Sequence, residues 1–122
     1  MAKKIKYNQK AVLLAVPNIK VLFEYVDTSH QSNYKPYSTT NSIKALRMAT
    51  ERQYAACVVY SSLGESFLGK LTEHFAKKQT RLAIITEEES ETSRLTLALQ
   101  SQEKPITIVD RAKFDFAGFL RS

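Results

Sequence analysis

Ala11-Val12-Leu13-Leu14-Ala15-Val16, closed by Pro17-Asn18, sets six apolar residues in a row against a helix-start signal. An apolar run of this length without alternation fits a strand buried on both faces, as in a parallel sheet. Pro17-Asn18 breaks the run and opens a helix. Ile19, Leu22, Phe23 and Val26 then recur at i, i+3, i+4 and i+7 and mark one helical face. The polar stretch Asp27 to Ser32 reads as a loop. A buried strand that feeds an amphipathic helix is the first half of a βαβ unit.

The same alternation continues along the chain. Tyr34 to Thr39 is a short second strand, and Pro36 suits a sheet edge or a strand end better than a central position. Asn41 or Ser42 caps a helix whose stripe is Ile43, Ala45, Leu46 and Ala49. Ala55 to Tyr60 is a third strand. After the loop Ser61-Ser62-Leu63-Gly64, Phe67, Leu68, Leu71 and Phe75 mark a third helix, with Lys77 and Lys78 near its negative C-terminal end. Leu82 to Ile85 is a fourth strand. The acidic turn Glu87 to Glu91 leads into a fourth helix with Leu95, Ala98 and Leu99 on its apolar side. Pro105 precedes the fifth strand, Ile106 to Val109, and Phe116, Phe119 and Leu120 close a short final helix. Five strands alternating with five helices predict a three-layer, doubly wound α/β fold with a five-stranded parallel sheet. Right-handed crossovers favour the flavodoxin-like order 2-1-3-4-5.

Composition bounds the rest. The 122 residues are 43% hydrophobic and 25% charged, which suits one globular domain. Residues 1–9 read as a basic tail and 10–122 as the domain. No apolar run reaches the roughly 20 residues that span a bilayer. The lysine-rich start has no apolar signal core, so a cytoplasmic location is expected. Cys57 is the single cysteine, so no internal disulfide forms, and its apolar neighbours mark it as a small buried hydrophobe. The net charge of +6 owes much to Lys3, Lys4, Lys6 and Lys10. It fits a solvated basic surface better than a nucleic-acid stripe.

Three segments carry a family resemblance. Asn33-Tyr34-Lys35-Pro36, Ile43-Lys44-Ala45-Leu46 and Tyr54-Ala55-Ala56-Cys57-Val58-Val59-Tyr60 follow, without a gap, the pattern of the receiver domain of bacterial response regulators. Leu82-Ala83-Ile84-Ile85-Thr86 resembles that family's fourth strand with its terminal hydroxyl residue. Ile106 to Phe114 resembles the fifth strand and the turn after it. The resemblance implies the flavodoxin-like fold and a phosphorylation pocket at the strand tips. A receiver holds Mg²⁺ with two acidic residues after its first strand and an aspartate ending its third, because a hard cation takes oxygen ligands. The metal offsets the charge of the incoming phosphoryl group while the aspartate attacks it.

The chain departs from that pattern where the chemistry lies. The matching positions are Val16, Pro17 and Tyr60, and none supplies a carboxylate. A phenol of ordinary pKa about 10 is not an equivalent nucleophile. Thr86 keeps the hydroxyl, and the receiver lysine has two candidates, Lys113 and Arg111. Tyr60 is either a plug for the old pocket or an ordinary amphipathic ring at a strand end. Thr86 is either a polar hinge or, more simply, a strand-end hydroxyl satisfied by the backbone. Ser61 and Ser62 offer hydroxyls that a kinase could phosphorylate, but a plain loop is the simpler reading.

Other chemistry finds little support. The Glu87–Glu91 cluster reads as a helix start, and His30 and His74 as isolated surface residues. Neither GxGxxG nor GxxxxGK[ST] occurs. No metal or cofactor is expected, and no acid, base and nucleophile converge as an enzyme requires. The expected function is that of a pseudo-receiver, a non-enzymatic regulatory module in signalling or transcription control that contacts a protein partner or a second copy of itself. By family analogy the contact face is the fourth helix, fifth strand and fifth helix, with Arg94, Gln100, Lys104, Arg111 and Lys113 upon it. The second hypothesis is a small nucleic-acid-binding protein using the basic tail.

Overall fold

The structure, a computed structural model, describes residues 10–99 and 106–121. The elements run β1 (Lys10–Ala15), α1 (Ile19–Gln31), β2 (Tyr34–Thr39), α2 (Ser42–Glu51) and β3 (Ala56–Tyr60), then a 3₁₀ turn (Ser61–Leu63). They continue with α3 (Glu65–Phe75), β4 (Arg81–Thr86), α4 (Glu89–Leu99), β5 (Thr107–Asp110) and α5 (Phe116–Arg121). The five strands are parallel, in the order β2-β1-β3-β4-β5. The expected fold class and strand order are both present. The basic tail, residues 1–9, and residues 100–105 lie outside the described residues.

Strand position explains the hydrophobic pattern. In the central β3 all five residues are buried, as are the last four of β1. Side chains alternate between two cores. Leu13, Cys57, Val59 and Ile84 face one side with Leu68 and Leu71 of α3. Val12, Leu14, Val58 and Ile85 face the other with Leu22 of α1 and Phe116 and Leu120 of α5. Pro36 sits in β2, at the sheet edge, where a missing N–H is tolerated.

The helices correct several expectations. Helix α1 does not stop before Asp27 but runs to Gln31. The buried Ser29 hydroxyl donates to Tyr25 O at 2.8 Å, and the chain turns at Asn33, whose φ is 62°. Asparagine tolerates that left-handed conformation, so the stop signal is Asn33. The buried stripe is also rotated. Ile19 and Phe23 are 54% and 62% exposed, while Leu22, Tyr25 and Val26 pack against the sheet and α5. Both stripes have helical spacing, and contact with α5 selects the one containing Tyr25. Ile43 likewise points outward on α2, leaving Ala45 and Ala49 to the core, and Ala98 is exposed on α4. His74 is half-buried, not a surface residue: its Nε2 lies 3.1 Å from Ala49 O. No helix among the described residues is long and apolar enough to cross a membrane.

Candidate functional site

Parallel strands bring their C-terminal tips to one rim. Ala15 pairs with Val59, Tyr60 with Ile85, and Thr86 with Asp110. Val16, Tyr60, Thr86 and Asp110 therefore stand side by side. Val16 is fully buried, and its N–H donates to Thr39 O at 3.1 Å, extending the ladder one residue past β1. Pro17 is exposed. Asn18 caps α1, its side-chain oxygen accepting from Lys20 N at 3.0 Å and Val21 N at 3.2 Å.

Tyr60 turns into the core between the sheet and α1/α5. It is 5% exposed, and its hydroxyl lies 3.3 Å from that of Tyr25 on α1. The two rings are 6.4 Å apart and tilted by 56°. Tyr25 in turn packs on Phe116 at 4.6 Å and edge-on to Phe114 at 6.3 Å. Burial, and then the bond to Tyr60, push the Tyr25 hydroxyl well above the ordinary tyrosine pKa. The partner Tyr25 was legible only as a member of the second helical stripe.

Thr86 faces the opposite layer. Its buried hydroxyl is hydrogen-bonded to that of Thr92 on α4, and Thr92 also donates to Glu88 O at 3.2 Å. Ser61, just beyond Tyr60, is 5% exposed, which keeps its hydroxyl from a kinase, whereas Ser62 is exposed.

The tip of the fifth strand carries an acid. Asp110 stands opposite Thr86, and its carboxylate accepts from Ala112 N at 2.9 Å, closing the turn that follows. Both lysine candidates lie in that turn and reach outward. Arg111 Nε is 3.2 Å from Glu87 Oε1, and Lys113 Nζ is 3.8 Å from Glu89 Oε2. Both pairs are exposed, so each contributes at most about 1 kcal/mol. β5 runs one residue past the Val109 at which its apolar run ends, and so brings Asp110 to the rim.

These residues do not fit the magnesium ion of a receiver. Val16 and Pro17 offer no side-chain oxygen, the Tyr60 phenol is turned toward α1, and Asp110 is engaged in its own turn. Among the described residues no three His, Cys, Asp or Glu side chains converge on a common point.

Of the expected contact face, Arg111 and Lys113 lie together beside the acidic start of α4. Arg94 reaches the other way, to Glu65 at the start of α3. Gln100 and Lys104 lie outside the described residues. Cys57 is fully buried, and burial pushes its thiol pKa up, which disfavours the reactive thiolate.

No protein-family model matches the chain, and no curated protein matches it. Solved structures do. A CheY-like response regulator receiver domain from Methylobacillus flagellatus superposes with a TM-score of 0.70 at 12% identity, covering 92% of this chain and 93% of that one. The chemotaxis response regulator CheY4 of Vibrio cholerae gives 0.71 at 15% identity, covering 93% and 95%. A response regulator from Burkholderia pseudomallei, described with a phosphorylated aspartic acid and a calcium ion, gives 0.72 at 15% identity, covering 91% of this chain and 64% of that one. At such identities the likeness is one of fold.

Proposed function

We propose that the chain is a pseudo-receiver, a cytoplasmic, non-enzymatic regulatory module in signalling or transcription control that works by protein contact and is not switched by aspartyl phosphorylation. One observation carries this reading. Tyr60 occupies the tip of β3, where a receiver would present its acceptor, and it is buried and hydrogen-bonded to Tyr25. Val16 and Pro17 beside it lack the carboxylates that would hold a divalent cation. The receiver fold supports a regulatory role by analogy alone. The proposed partner, a protein or a second copy of the chain, meets the face built from β5, α5 and the start of α4. There Arg111 and Lys113 are held only by exposed ion pairs, which a partner's carboxylates displace at little cost.

Intact-mass spectrometry after incubation with acetyl phosphate and Mg²⁺ tests this reading. The mass is expected to stay unchanged. An added phosphoryl group that is labile to base, as an acyl phosphate is, overturns it.

A further inference from the structure

The opposite edge of the sheet, where the strands begin, carries a cleft of about 980 Å³. The starts of β1, β3 and β4 form its floor, and the C-terminal ends of α2 and α3 form its walls. Among the described residues, five cationic ones line it (Lys10, Arg52, Lys77, Lys78 and Arg81) with one carboxylate, Glu51. The two helix C-termini offset about half a charge each, so the described lining keeps a positive balance.

The cations have different duties. Arg52 lies over the Tyr37 ring at 3.9 Å and donates to its hydroxyl at 2.9 Å. Arg81 donates to the carbonyls of Phe119 and Leu120 at the end of α5. Lys10 and Lys77 are exposed and make no ion pair among the described residues. In sequence, Lys3, Lys4 and Lys6 stand within seven residues of Lys10.

We propose that this cleft binds the phosphate backbone of a nucleic acid. A protein partner needs a buried apolar anchor at the centre of its contact. Among the described residues the large exposed hydrophobics, Ile19, Phe23, Ile43 and Leu97, all lie outside the cleft lining. A phosphate backbone asks only for cations and polar groups in a concave groove. The rings of the lining are already engaged: Tyr34, Tyr54 and Phe75 are buried, and the half-buried His74 lies edge-on to Phe75 with its Nε2 3.1 Å from Ala49 O. Bases therefore find no stacking platform, and binding is neutral to sequence. This site is remote from the strand tips and does not rest on the pseudo-receiver reading.

Fluorescence anisotropy of a labelled, mixed-sequence single-stranded oligonucleotide, titrated with the full chain over a range of salt, tests the proposal. Affinity is expected to fall linearly on a log–log plot as salt rises. The double variant K10Q/K77Q is expected to bind at least tenfold more weakly and to lower the magnitude of the slope by about 1.4, since each phosphate contact to a single strand contributes about 0.7. Absence of binding at low salt overturns the proposal. So does binding that survives K10Q/K77Q and vanishes only in K3Q/K4Q/K6Q, which assigns it to the tail. Displacement of the oligonucleotide by polyglutamate more readily than by inorganic polyphosphate of equal charge also overturns it, in favour of an acidic protein ligand.

Discussion

The hydroxyl of Tyr60, at the tip of β3, lies 3.3 Å from the hydroxyl of Tyr25 on α1, joining the central sheet to the helix layer that also holds α5. The tip of β3 therefore holds part of a buried aromatic cluster and not an exposed carboxylate. Replacing Tyr60 with Phe removes the hydrogen bond and keeps the ring, so a loss of about 1 kcal/mol is expected. Tyr60→Ala removes the ring from a packed core and should cost about 3–5 kcal/mol. Urea denaturation measures both. Midpoints equal to that of the parent protein for both variants would show that the ring contributes nothing to the core.

Tyr60→Asp is expected not to gain phosphorylation. The new carboxylate would stand beside Val16 and Pro17, which give a divalent cation no oxygen, and would lie in the apolar layer with Tyr25. Circular dichroism checks that the variant folds, and intact mass after acetyl phosphate with Mg²⁺ reads the chemistry. Metal-dependent labelling of this single variant would contradict the assignment of the strand tips.

Stability is expected to fall in alkali. Burial raises Tyr25, and burial outweighing the nearby Arg52 raises Tyr54 from the ordinary 10.0 to about 12. A raised folded pKa means that the unfolded chain loses its protons first. The contribution is therefore complete below pH 10 and declines as pH rises from 10.0 toward about 12. Urea midpoints across that window, alongside tyrosinate absorbance, test this. Tyr25→Phe should flatten the decline, and a midpoint independent of pH there would refute the expectation.

Two asparagines start helices by the same device. Asn18 accepts from Lys20 N and Val21 N, and Asn41 accepts from Lys44 N at 2.9 Å. Alanine at either position leaves orphan N–H groups and should cost about 0.5–2 kcal/mol, with glycine costing only a few tenths. Thermal unfolding of the four variants distinguishes loss of a cap from general disturbance, since only a cap role predicts the milder effect of glycine.

Arg81, at the start of β4, fastens the far end of α5. Its guanidinium donates to Phe119 O and Leu120 O and to the Tyr34 hydroxyl, which itself donates to Leu120 O at 2.9 Å. Arg81→Gln should cost about 1–3 kcal/mol, because hydrogen bonds from a charged donor are the stronger ones. Its amide exchange should quicken in α5 before β3. Equal acceleration of exchange in both elements would argue against a local fastening.

Ala11 to Val16 and Ala55 to Tyr60 were readable as buried strands because a strand covered on both faces admits no polar alternation, and Pro36 left its strand an edge or a strand end, of which the sheet order selects the edge. Right-handed crossovers made the 2-1-3-4-5 order plausible, although periodicity could not fix it, and Val16, Pro17 and Tyr60 were visible as residues that carry no carboxylate. Other features came only from contacts between segments distant in sequence. Phe23 and Tyr25 lie on competing stripes of one helix, and packing against α5 decides which is buried. The direction of the Tyr60 ring, Asp110 at the tip of β5, Arg81 on the last carbonyls of α5 and the gathering of Lys10 with Lys77 each depend on neighbours brought together by the sheet. Periodicity reports how a segment meets one nearby surface, whereas a site depends on several surfaces closing upon one another.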